Sequence, residues 1–385
     1  MNPSRQTNAR HPDSSGSRLN DLLHPHVLAA FDRAIFERDG YWVWEGILTD
    51  AGRRQWTASL QNLQAMNDSI VAGSDWLQVD FAGRGLTAPD PAKVTPDALE
   101  AYLGGSEQMQ FQTPGLRDYM YDHGLFDASL ATQTLASQGI AWQGMMPEYF
   151  PLAYDDFILD IATSHPQMME LFGRILGPRF LIDHVLMLNR IPGSSGRRWH
   201  GHPYRQGQHE TEVPAQGGRV ASPEFLPRQC VRTLCFPEGM SEHDGGGEFS
   251  VVAGAHLYRT PYLWDTRRTE YDEQFEAGWM RDKNPPVTGE PLRIKRLELP
   301  PGSMVSFVHH MPHHAGHRDM DAETRWGLLM AYRTPDPTER SSQSSTQASS
   351  HWNEGTPAHW AQRMEDAGTL TAAMRRVFEA DAAVA

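Results

Sequence analysis

From Phe180 onward the chain breaks into short apolar runs, FLIDHVLMLNRI, QCVRTLCF, EFSVVAG, LRIKRLELP, SMVSFV and RWGLLMAYR, punctuated by Gly and Pro. Runs of strand length with turn residues between them, and no helical block separating most of them, predict an antiparallel sandwich or barrel. The part ahead of it reads differently. Residues 25–66 suit two helices around a short strand. Apolar periodicity through Phe31 and Phe36 stops at the turn signal Asp39-Gly40, and the aromatic run Tyr41–Trp44 follows as a strand. Thr49 is then a candidate N-cap for a helix carrying Trp56, Leu60 and Leu63 on one face. Residues 67–150 are rich in Gly, Asp and Pro and give no clear order of elements.

Residues 1–20 are polar and predict a disordered tail. The barrel domain is expected over 21–340, with a helical N-terminal part. The Ser-rich stretch at 341–350 reads as a linker, and within 341–385 the spacing of Trp360, Met364, Leu370, Met374 and Phe378 predicts a C-terminal helix that caps or covers the barrel.

Composition narrows the partners. A formal net charge of −14 argues against nucleic acid or an anionic membrane, both of which demand basic patches. No run approaches the eighteen or so apolar residues of a membrane-spanning helix, and the first residues lack the apolar core of a secretory signal. Cys230 and Cys235 are the two cysteines; within one apolar run they suit neither a disulfide nor zinc and read as buried reduced thiols. A cytoplasmic location is expected. No Gly-x-Ser-x-Gly elbow, Walker loop or dinucleotide fingerprint is present. Gly245, Gly246 and Gly247 precede a strand, so no helix N-terminus cradles phosphate there.

Histidine is where the chain concentrates chemistry. His309, His310, His313, His314 and His317 fall within the nine residues 309–317, and Arg325 stands eleven positions beyond His314. His200 and His202 form a second pair about a hundred residues earlier. Imidazole is the commonest protein ligand of divalent transition metals, and a close pair with one distant partner can occupy one face of an ion.

Four blocks, in order, carry a family resemblance: FERDGYWVWEGILTDAGRRQW, LNRIPGSSGRRWHGHPYRQ, HDGGGEFSVVAGAHLYR and PPGSMVSFVHHMPHHAGHRDMDAETRWGLLMAYR. Over roughly residues 35–335 the chain resembles the phytanoyl-CoA dioxygenase family of Fe(II)/2-oxoglutarate oxygenases. The resemblance implies a mainly β fold with flanking helices, a cupin-like double-stranded β-helix or jelly roll. It implies Fe(II) held by two histidines and a carboxylate, with 2-oxoglutarate as cosubstrate, molecular oxygen and a small organic substrate that is hydroxylated or otherwise oxidised. Carried onto this chain, His200 is the first ligand and His314 the distal one, and Arg325 forks the far carboxylate of the keto acid. No catalytic residue is implied beyond the metal ligands.

The chain departs from the family at His202, which stands where the carboxylate belongs. Either three histidines hold the iron, or Glu210 or Asp183 supplies the carboxylate, or the site holds no metal; ligation by His202 beside His200 and the distal histidine is the expectation. Aligning on Arg325 without a gap selects His314, whereas aligning on the apolar stretch before it allows His313; strand alternation makes the two exclusive, and His314 is preferred. Arg293 and Arg333 are the alternatives to Arg325. Beside the oxygenase stand two other readings: a three-His dioxygenase working without 2-oxoglutarate, and a non-catalytic binding protein on the same scaffold. His256 is expected to anchor a turn. Arg197 and Arg198 read as a charged loop.

Overall fold

The computed structural model describes residues 19–73, 155–190, 197–200, 231–241, 245–257, 289–308, 311–316, 321–334 and 370–378, with single positions between them. The tail at 1–18, the insert at 74–151, the loop at 201–230 and the Ser-rich stretch lie outside them.

The chain enters through α1 (Pro25–Ala29) and α2 (Arg33–Asp39). The expected single helix is split there because Asp32 restarts it, its Oδ1 accepting from the Ala34 and Ile35 amides. Gly40 ends α2 in the left-handed conformation (φ 78°), and β1 (Tyr41–Trp44) follows. Then comes α3 (Asp50–Gly73), whose N-terminal Gly52 amide is taken by Thr49 Oγ1 at 3.0 Å. Two further helices, α4 (Asp156–Thr163) and α5 (Pro166–Leu176), precede the barrel. Neither is anticipated by the sequence reading, although α5 has Pro at its first turn and Met168, Leu171, Phe172 and Ile175 at helical spacing.

The strands follow: β2 (Leu181–Met187), β3 (Arg197–His200), β4 (Val231–Phe236), β5 (Phe249–Val252), β6 (Ile294–Arg296), β7 (Ser303–Val308), β8 (His313–Ala315) and β9 (Leu328–Arg333). They form a larger sheet in the order β1-β7-β4-β9-β2 and a smaller one in the order β3-β8-β5-β6. Every strand pairing among the described residues is antiparallel. With β1 set aside, eight strands distribute between two four-stranded faces, 7-4-9-2 and 3-8-5-6, the topology of a double-stranded β-helix. The expected jelly roll is the fold of this chain.

The larger sheet is buried on both faces. Its helix side presents Val231, Cys235, Met304, Val308, Leu328, Met330 and Tyr332 to Trp56, Leu60, Ile158 and Phe172. Its inner side presents Leu234, Val305, Phe307, Leu329 and Ala331 to Phe249 and Val251 of the smaller sheet. Each large apolar side chain so buried stabilises by about 1.5–3 kcal/mol. That explains why these strands read as continuous apolar runs rather than alternating ones. The Trp44 indole N–H donates to Ser306 Oγ (2.8 Å), itself 2.8 Å from Thr233 Oγ1, so these three polar groups are partnered. Past the barrel, α6 (Ala372–Phe378) buries Val377 and Phe378 on the helix side, against β2 and α4. Cys235 is a buried free thiol, pushed well up by burial; Cys230 lies outside the described residues. No helix among the described residues is long and apolar enough to cross a membrane.

Candidate metal centre

Two short strands of the smaller sheet bring the histidines together. β3 pairs with β8 so that His200 stands opposite His313, with an irregularity between Arg197 and His200. On its other edge β8 pairs with β5, Val251 opposite His313 and Ser250 opposite His314. Directly opposed residues share a face, and Val251 belongs to the inner cluster. His313 therefore faces into the barrel, and the position of His200 shares that face.

The His313 ring is buried and packs against Phe307 (centroids 4.9 Å) and Phe249 (5.8 Å). Its Nδ1 lies 2.7 Å from the Met311 carbonyl. A carbonyl can only accept, so Nδ1 carries the proton and Nε2 carries the lone pair. A backbone acceptor on one ring nitrogen is the usual support for a histidine that ligates through the other.

His314 points the other way, its ring stacked on Trp199 at 5.3 Å between centroids and 19° between planes. The gap-free spacing to Arg325 that favours His314 is not enforced by any ladder. Between β8 and β9 the described residues 318, 319 and 321–324 form a turn and the isolated bridge Gly246–Arg318 rather than a ladder. His202, His309, His310, His317 and Glu210 lie outside the described residues. Among the described residues no three His, Cys, Asp or Glu side chains gather as a metal group.

The other end of the barrel holds guanidinium groups. Arg190, Arg318 and Arg325 are all buried. Arg325 Nη1 donates to the Gly247 carbonyl (2.8 Å), Arg318 Nη1 to that of Gly246 (3.0 Å), and Arg190 Nη2 to that of Gly316. Gly245, Gly246 and Gly247 have φ of 69°, 73° and 73°, a run of left-handed backbone that turns its carbonyls toward the arginines. A cleft of about 780 Å³ opens at this end, with Arg318 and Arg325 in its lining and Glu45, Glu238, Glu298 and Glu323 beside them.

Along the chain, Gly247 lies four residues from Val251, so Arg325 is held no more than about 13 Å from the His313 row. The inward positions between them include Ala315, half-buried although it faces in, and Gly327. Ala315 is small and partly open there, whereas at Gly327 the space is taken by the Leu188 carbonyl, 2.8 Å from where a Cβ would stand. An inward His313 with its Nδ1 held by a carbonyl, a second histidine position opposite it and a buried guanidinium down the barrel are compatible with Fe(II) and 2-oxoglutarate as far as the described residues extend.

The sequence reading passed over one cation at the histidine end. Arg232 pairs with Phe307 and Ala331, both inward, so it points into the barrel in the row beside His313. The signal was available: an arginine inside the apolar run QCVRTLCF. Arg232 is half-buried, whereas Val305, Leu234 and Leu329 in the next row are closed. Arg333 is its diagonal neighbour, about 7–8 Å away by strand geometry. Its Nε lies 3.9 Å from the fully buried Asp183 Oδ1.

His256 anchors a turn as expected. It sits in the 3-10 turn Ala255–Leu257, fully buried, with Nε2 3.0 Å from the Glu37 carbonyl. Burial pushes its pKa down to about 4, against smaller upward contributions from that hydrogen bond and from Asp39. A Cβ at Gly40 would come within 2.2 Å of this ring and 2.4 Å of Met311. The end of α2 thus lies flat against the segment leading into β8.

No protein-family model matches the chain, and no curated protein matches it. Among solved structures, the chain is similar to the non-heme alpha ketoglutarate dependent epimerase SnoN from nogalamycin biosynthesis. That similarity has 12% identity and a TM-score of 0.44 over 81% of this chain and 85% of that one. The apoform of EctD from S. alaskensis matches at 13% identity and a TM-score of 0.39, over 80% and 77%. The nickel complex of the non-heme monooxygenase ThoJ matches at 14% and 0.36, over 79% and 77%. At these values they are likenesses only; the jelly roll is established by the chain's own strand order.

Proposed function

We propose that the protein is a non-haem Fe(II)/2-oxoglutarate-dependent oxygenase acting on a small organic substrate. The observation that supports this reading best is the cross-strand pair His200–His313, with the His313 proton fixed on the Met311 carbonyl. His200 and His313 supply two adjacent ligands, and His202, two residues past His200, is the third. His313 takes the place that spacing alone gives to His314. When bound, Fe(II) with 2-oxoglutarate and oxygen supplies an oxidant able to abstract hydrogen from carbon, the keto acid leaving as succinate and carbon dioxide.

The chain's own residues set up that chemistry. Phe249 and Phe307 shield the imidazole and exclude water from its flank. Ala315 leaves the keto acid room, and Arg325 receives its distal carboxylate. Arg232 and Arg333, inward at the mouth, favour a substrate that carries an acidic group.

The test is iron content after anaerobic reconstitution, together with succinate formed from 2-oxoglutarate. Stoichiometric iron, lost in His313→Ala but kept in His256→Ala, supports the reading. Wild-type protein that binds no iron ends it, and iron binding without any succinate favours the three-His alternative.

A further inference from the structure

We infer that the Trp199–His314 stack is a positioning device for the metal ligands, and that His314 acts through its neighbour rather than on the metal. This rests on the His200–His313 reading above. β8 is three residues long and β3 four, and their ladder is interrupted between Arg197 and His200. Little backbone pairing fixes their register, and a slip of one residue would send His313 outward and His314 inward.

The stack opposes that slip. Trp199 is the chain neighbour of His200 and His314 that of His313. Their rings meet face to face on the strand face opposite the one His313 takes, at 5.3 Å and 19°. Trp199 is fully buried, so the indole is itself fixed by packing. On the β5 side His314 is opposite the small, buried Ser250. Sliding β8 would move the imidazole off the indole in the same step that exchanges the two histidines. The ligand pair on one face and the aromatic pair on the other thus report the same register.

The experiment compares His314→Phe, His314→Ala, Trp199→Ala and His313→Ala. It reads Co(II) affinity by titration, the ligand-field spectrum of the cobalt protein, and melting of the metal-free protein. His314→Phe keeps a flat ring over the indole and retains wild-type affinity and spectrum. His314→Ala and Trp199→Ala weaken cobalt binding by about 10- to 100-fold, the usual range for residues that support a ligand, and alter the spectrum of what remains bound. Should His314→Ala fail to fold, His314→Phe and Trp199→Phe carry the comparison. His314→Phe losing cobalt as fully as His313→Ala makes His314 a ligand and overturns the inference, as does wild-type affinity in His314→Ala. Wild-type cobalt binding in His313→Ala instead removes the ligand assignment on which the stack depends.

Discussion

The two ends of the barrel hold their polar groups by different means. At the histidine end, imidazoles are placed by strand register: His313 faces inward because Val251 opposite it does, and His200 stands across from it. At the arginine end, guanidiniums are placed by loop carbonyls, those of Gly246, Gly247 and Gly316, the first two presented by left-handed backbone that only glycine adopts cheaply. Strand register is strongly specified once one face is buried. Loop carbonyls depend instead on a local run of unusual dihedrals. One end is therefore most sensitive to which residue faces in, and the other to backbone conformation.

Three substitutions separate these ends. The largest effect is expected for Arg325→Ala. Truncating a buried guanidinium that pairs with a carboxylate loses about 2–5 kcal/mol, so the 2-oxoglutarate requirement should rise by tens-fold or more while bound iron stays constant. Calorimetric titration of the metal-loaded variant measures this. Unchanged keto-acid affinity would move the anchor to Arg333 or Arg232 at the histidine end.

Next comes pH. The folded state disfavours the His256 imidazolium, so the unfolded chain binds the extra proton. Its contribution is fully present above the ordinary histidine pKa of about 6.5 and is lost as pH falls from there to about 4. The loss amounts to about 3 kcal/mol. Denaturant titrations across that window should show it, and His256→Gln should flatten the slope. An unchanged slope in that variant would assign the acid sensitivity elsewhere.

The smallest effect is expected at Gly247. A Cβ there would stand 3.3 Å from both Arg325 Nη1 and Arg318 Cδ, on backbone with φ 73°. Gly247→Ala should cost about 1–2 kcal/mol for the left-handed conformation, visible as a lower melting temperature with the iron site intact. Loss of iron in that variant would show the two ends to be coupled.

How much of this was legible in the sequence follows the same division. SMVSFV, QCVRTLCF and RWGLLMAYR became β7, β4 and β9 because strands buried on both faces must be apolar throughout. Tyr41–Trp44 and the Thr49 cap were equally readable. β3 and β8 were not, since RRWH and HHA carry no strand periodicity; they are strands only because partners on the sheet complete them. The same shortness hid which of His313 and His314 faces inward, which spacing to Arg325 approaches through turns rather than through a ladder. α4 and α5 were legible in principle, through the Asp155 cap and Pro166, but stood beside an insert whose composition obscured them. Arg232 was passed over because its meaning depends on which face of β4 is inward.

The neighbouring histidines of β8 also bear on how the gene can change. In most strands a single-codon insertion or deletion inverts the pattern of facing residues and empties a site of its ligand. Here a one-residue frame change between β7 and β8 would bring His314 inward in place of His313, so an imidazole would still face the barrel. Length variation in the segment joining those strands thus leaves an imidazole on the inward face of β8.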